Sequence, residues 1–162
     1  MIMARLRSLL SGAPKREAQE VYIALVRQSR KPFFYGRCQV PDSLDGRFEI
    51  LVLHVFLTLR FFKAQGGQEE LSRLLQECLF DDMDRSLREM GVGDMGVGRR
   101  IKSMSKAAFG RFEAYTQAFD DDNAFLEALK RNVYRGAQVS PQALALLLDY
   151  ARGYVPGKAA SP

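Results

Sequence analysis

The sequence has no tryptophan, a single histidine, His54, and only two cysteines, Cys38 and Cys78. A structural zinc site needs about four nitrogen or sulfur ligands. His54, Cys38 and Cys78 are scattered and form no C-x-x-C pair, so no metal is expected. Cysteines this sparse read as the reduced thiols of a cytoplasmic protein rather than as a disulfide framework. Six prolines and thirteen glycines among 162 residues are too few for a low-complexity chain. Long apolar runs are missing as well. The uncharged run Ile50 to Leu59 is about half of the roughly 20 residues that a membrane span needs. The first apolar stretch, interrupted by Arg5 and Arg7, is too short for the core of a signal peptide. No segment alternates at period two, so no sheet is expected.

What is present is helical periodicity. A chain of 162 residues with 47% hydrophobic and 27% charged residues makes one ordinary globular domain. Ala18, Val21, Tyr22, Leu25 and Val26 mark one face of a first helix from about Pro14, which Pro32 ends. The aromatic segment Phe33, Phe34, Tyr35 is then read as a loop that has to bury its rings. A second helix, capped by Asp42 or Ser43, runs from about Leu44 to Ala64 and is apolar nearly all round. It is therefore placed in the centre. Gly66-Gly67 stops it. A third helix from about Gln68 to Met90, a fourth to about Phe119, a fifth from about Ala124 to Tyr134 and a sixth opened by Ser140-Pro141 complete the reading. The expectation is an all-α single domain of about six helices with a buried central helix. Residues 1–13 are expected to be a basic flexible or amphipathic arm, 14–153 the helical domain and 154–162 a disordered tail.

The net charge of +5 is unevenly spread. Met1 to Arg37 carries eight positive and two negative residues, Ala64 to Met90 three and seven, and Gly91 to Phe112 five and one. Such separation speaks of partners rather than of fold. Arg5, Arg7, Lys15 and Arg16 are the expected contacts with an anionic membrane surface. The basic residues lack a recognition-helix signature, so no specific nucleic acid is expected.

Several tempting motifs carry little. Gly91, Gly93 and Gly96 fit G-x-G-x-x-G, but a helix pattern precedes them where a dinucleotide fold needs a strand. They read as a helix stop and a tight connection between the third and fourth helices, with Gly93 and Gly96 the candidates for positive φ. Asp81, Asp82 and Asp84 resemble an aspartate-rich magnesium motif, yet Arg85 stands where another carboxylate is needed. Ion pairs at i,i+4, such as Asp81–Arg85 and Asp84–Arg88, are expected instead. Cys38 beside Arg37 has no motif of a nucleophile. His54, alone in an apolar run, reads as a hydrogen-bonded core residue or as a contact in a groove. No catalytic residue and no cofactor emerge.

Two longer stretches say more. Pro41-Asp-Ser-Leu-Asp-Gly-Arg-Phe-Glu-Ile-Leu-Val-Leu-His-Val-Phe-Leu-Thr-Leu-Arg60 and Leu79-Phe-Asp-Asp-Met-Asp-Arg-Ser-Leu-Arg-Glu-Met-Gly-Val-Gly-Asp-Met-Gly-Val-Gly-Arg-Arg-Ile-Lys102 resemble the signature of the ubiquinol–cytochrome c chaperone family. The resemblance spans about Val21 to Tyr134. It implies a helical, non-enzymatic assembly factor of the cytochrome b–c complex that binds newly made cytochrome b or its assembly intermediate. Mitochondrial members act with a small partner protein at the ribosome. With no long transit region, this chain is expected to resemble the short alphaproteobacterial members. Asp81, Asp82, Asp84, Arg88, Arg99, Arg100, Lys102 and Lys106 are the candidate client or partner contacts, and Phe33, Phe34, Tyr35 and His54 the candidate groove residues. The alternative is a carrier or enzyme for an isoprenoid or other lipid, with its pocket at those same aromatics.

Overall fold

The most apolar stretch of the chain lies where its chemistry puts it, between two cores. The computed structural model describes residues 13–158, so Arg5 and Arg7, with the rest of the expected arm before Ala13, and residues 159–162 lie outside it. Its helices are α1 (Ala13–Ser29), α2 (Pro32–Tyr35), α3 (Leu44–Gln65), α4 (Glu69–Glu89), α5 (Asp94–Ala118), α6 (Asp122–Leu129) and α7 (Pro141–Arg152). A π-helical segment, Lys130–Tyr134, continues α6. No strand occurs among the described residues.

Helix α3 is buried on both flanks because it has no polar side wide enough to face water. Ile50, Leu53, Phe56 and Leu57 point into one cluster with Phe34, Tyr115, Phe125, Tyr134 and Leu147. Val52, Val55 and Phe62 point into a second with Tyr22 and Leu25 of α1 and Leu71, Leu75, Leu79 and Met83 of α4. A fully buried side chain of this kind contributes roughly 1.5–3 kcal/mol, so α3 organises the whole molecule. The expected central helix is thus observed.

Local signals set the helix ends. Ser43, Asp121 and Ser140 each accept a hydrogen bond from the backbone N–H three residues on, at Gly46, Ala124 and Ala143. Gly66, at φ 73°, ends α3. Gly46 answers a different need. A Cβ there would lie 1.9 Å from the carbonyl oxygen of Pro41. Gly46→Ala is therefore expected to destabilise the protein by about 1–3 kcal/mol, since the start of α3 must shift. A urea midpoint equal to that of the wild type would refute this.

Four elements differ from the sequence reading. Phe33, Phe34 and Tyr35 form the short helix α2, with Pro32 at its first position. The glycine-rich connection is shorter than expected, because α5 begins at Asp94 and includes Gly96 and Gly98. Positive φ falls on Gly91 (79°) and not on Gly93 or Gly96. The reason is a Schellman stop: Val92 N–H donates to Leu87 O (3.2 Å) and Gly91 N–H to Arg88 O (3.0 Å). The expected fifth helix is α6 followed by the π segment, a wider turn that buries Asn132, Val133 and Tyr134 in succession. Packing also continues past Gly153, where Tyr154 lies against both clusters.

A candidate partner-binding groove

Helices α1, α4 and α5 meet the N-terminal half of α3 around an open groove of about 590 Å³. Its floor is apolar, with Val26, Phe48, Leu51, Met83, Leu87 and Met104. Two large apolar residues stand at its lip, Leu44 at 71% and Met90 at 52% exposure. Side chains this apolar and this exposed, over an apolar floor, make a surface that gains by being covered.

The rim is basic. Arg30, Arg47, Arg100, Arg111 and Arg135 line the groove, against the carboxylates Asp45, Glu49 and Asp82. Arg47 pairs with Asp42 (2.8 Å) and Arg135 with Asp45 (2.7 Å), pairs exposed enough to be worth little to the fold. Arg30 and Arg100 enter no ion pair among the described residues. The groove therefore keeps an uncompensated positive potential beside apolar surface.

Two polar ties hold its walls. Glu49, only 1% exposed, accepts from Arg111 Nε (3.1 Å) and Nη2 (2.8 Å), which locks α5 to α3. A bidentate charge-assisted pair is the geometry that makes such burial tolerable. Tyr22 donates from its hydroxyl to Asp82 (2.7 Å) and so joins α1 to α4. Burial, helped by the Asp82 carboxylate, pushes the Tyr22 phenol up, which keeps the donor proton in place.

The residues singled out from the sequence divide between several surfaces. Asp82 and Arg100 line the groove. Asp84 and Arg88 form the expected pair (3.0 Å), and Arg88 also reaches Asp94, so Arg88 braces the α4–α5 connection. Arg85 pairs with Asp82 rather than with Asp81, which is exposed. Arg99, Lys102 and Lys106 are exposed on the outer side of α5. Lys15 and Arg16 are exposed at the start of α1.

The aromatic candidates are elsewhere. None of Phe33, Phe34, Tyr35 or His54 lines the groove. Phe34 and His54 are fully buried, and Phe34 packs edge-on against His54 and Tyr150. His54 Nδ1 lies 2.7 Å from Ile50 O, and its Nε2 lies 2.7 Å from the Tyr150 hydroxyl. Nδ1–H therefore donates to the carbonyl, and the Tyr150 hydroxyl donates to Nε2. Burial lowers the imidazole to a pKa of about 4, against an ordinary 6.5, so the ring is neutral near pH 7. His54 is thus the hydrogen-bonded core residue of the two readings, a tie between α3 and α7. Cys38 is likewise buried, and burial raises its thiol to about 11, the opposite of an activated nucleophile.

Sequence reasoning missed Glu49, Arg111, Arg30 and the exposed lip. Glu49 had a signal, because it is the one carboxylate between Phe48 and Leu59 of the apolar helix. Arg30 and Arg111 had none, since Arg30 just past α1 and Arg111 within α5 each stand among several other cations. No histidine or cysteine lines the groove, and no helix among the described residues is long and apolar enough to cross a membrane.

The comparisons with known proteins agree with this architecture. The crystal structure of the Cbp3 homolog from Brucella abortus is similar at a TM-score of 0.77 and 36% identity, over 93% of this chain and 84% of that one. The ubiquinol-cytochrome c reductase complex assembly factor 1 of Mus musculus is 26% identical over 85% of this chain and 48% of its own length. The factor of the same name from Xenopus laevis is 25% identical over 87% of this chain and 72% of its own. The chain spans about half the length of the mouse relative and, at 47%, of the human one. The family model described as Ubiquinol-cytochrome C chaperone matches residues 36–156, most of the chain, and the protein belongs to that family.

Proposed function

We propose that this protein is an assembly chaperone for ubiquinol–cytochrome c reductase, and that the groove between α1, α3, α4 and α5 holds an apolar stretch of newly made cytochrome b or of its assembly intermediate. The observation that carries this reading is the open apolar floor with Leu44 and Met90 exposed at its lip. The names of the mouse and frog relatives, both assembly factors of that complex, support it. A client that is released intact requires affinity without turnover. Arg30 and Arg100 would favour a segment flanked by acidic residues and speed its capture. The protein would work at the cytoplasmic face of the inner membrane, drawn there by basic residues such as Lys15 and Arg16, with Arg5 and Arg7 before the described residues. A small partner protein or the ribosome would share the exposed face of α4 around Asp81 and Asp84.

In-cell photocrosslinking tests the groove. A photoreactive residue at Leu44 or Arg100 is expected to capture cytochrome b, whereas one at Lys130, outside the groove, is not. Leu44→Glu with Met90→Glu, both at exposed positions, is expected to leave the thermal midpoint unchanged and lower capture at least about tenfold, the scale of two central interface contacts. Capture unaffected by these changes, or a stoichiometric lipid without any protein crosslink, would overturn the reading; the lipid result would favour a carrier.

A further inference from the structure

The outer side of α5 is built differently from the groove. Met95, Arg99, Lys102, Lys106 and Phe109 recur at helical spacing, and all five are exposed. They make a stripe about 21 Å long at 1.5 Å per residue. Its ends are apolar and far from hidden, Met95 at 83% and Phe109 at 51% exposure. Arg99, Lys102 and Lys106 enter no ion pair among the described residues. Glu113, one turn beyond Phe109, closes the stripe with the first negative charge on that line. Phe80 of α4 stacks against Phe109 (centroids 5.4 Å apart), so the aromatic end is braced from below.

We infer that this stripe is a membrane-contact surface that seats α5 flat on an anionic bilayer. Three uncompensated cations match a negatively charged headgroup layer. A methionine and a phenylalanine, one at each end, match the boundary with the acyl chains. An acidic protein would satisfy the cations but would not need two apolar residues about 21 Å apart on the same line. Val97, Ala108 and Tyr115 are the buried residues of α5, roughly opposite the stripe on the helical wheel, and the groove residues Arg100, Ser103 and Ala107 lie on its flank. The stripe can therefore meet the bilayer while the groove stays open. This extends the membrane attachment proposed above and is independent of the client reading.

The sequence has no tryptophan, so Met95→Trp in the full chain introduces a single indole as a probe. Its emission is expected to shift to the blue on addition of phosphatidylcholine vesicles containing phosphatidylglycerol, and Lys130→Trp is expected to show no shift. Arg99→Gln, Lys102→Gln and Lys106→Gln together should lower partition onto those vesicles about a hundredfold, roughly fivefold for each cation at an anionic surface. Changing Arg5, Arg7, Lys15 and Arg16 to Gln in a separate full-length variant measures the arm. An unshifted Met95→Trp spectrum, or wild-type partition of the stripe variant, overturns the inference; if the arm variant alone then fails to bind, attachment belongs to the arm. Wild-type vesicle binding of the stripe variant with loss of a co-purifying protein would show a protein-docking face instead, and would also overturn it.

Discussion

Arg111→Met is expected to destabilise the protein by about 3–5 kcal/mol, the cost of leaving a buried charge without its partner. Glu49 is 1% exposed, and the only hydrogen bonds to its carboxylate among the described residues come from Arg111. Without the guanidinium, the carboxylate must stay charged in a dry site or take up a proton. Glu49→Leu alone should cost less, because Arg111 is partly exposed and can turn to water. Glu49→Leu combined with Arg111→Met removes both charges and should recover most of the loss. Urea unfolding of the four proteins measures the coupling. A loss below about 1 kcal/mol for Arg111→Met, the level of an exposed pair, would show that Glu49 is not desolvated as the structure has it. The same pair shapes the groove. The double variant, if folded, would thus ask whether client capture depends on the charges or only on the position of α5.

Acid should weaken the fold through His54 before most carboxylates titrate. The ring is fully buried, and burial lowers its pKa to about 4 from 6.5. Between those values the unfolded chain binds a proton that the folded chain does not, so stability rises with pH across that window. The full benefit is present above pH 6.5 and is lost as pH falls through 4. The loss should reach about 2 kcal/mol at pH 5 and about 3 kcal/mol at pH 4. His54→Gln removes the titrating ring, so its stability should fall less between pH 7 and pH 5 than that of the wild type, whatever its starting value. Parallel slopes for the two proteins would mean that the ring is already charged in the fold or reaches water there. A charged imidazole would also reverse the bond between Nε2 and the Tyr150 hydroxyl, which joins α3 to α7, leaving the phenol proton to find another acceptor.

Much of the fold was legible because its signals are local. Ser43, Asp121 and Ser140 cap helices as their side chains allow, and the apolar periodicity of Phe48 to Phe62 required a buried α3. Where the reading departed, a longer-range partner was responsible. Phe34 needed His54 and Tyr150 around it before α2 could bury its ring. Gly96 entered α5 because the Schellman stop at Gly91 had already turned the chain. Nothing local shows what covers Phe34 and His54; that Tyr150 and Tyr154, about a hundred residues later, pack over them is a property of the tertiary structure.

The sequence by itself determined the class of fold, the central helix, the family and the separation of charge, since each is written in spacing or in motif. Only the tertiary structure decided which charges share a surface. Along α5, Arg99 and Arg100 are neighbours, yet successive residues on a helix are rotated by roughly a quarter turn or more, so one faces outward and the other into the groove. Along α4, Asp82 turns toward Tyr22 and the groove while Asp81 is exposed to solvent. Helix periodicity supplies those directions, but what stands opposite each one depends on how α1, α3 and α5 pack. That packing is set by apolar contacts between residues far apart in sequence, and no local pattern encodes it.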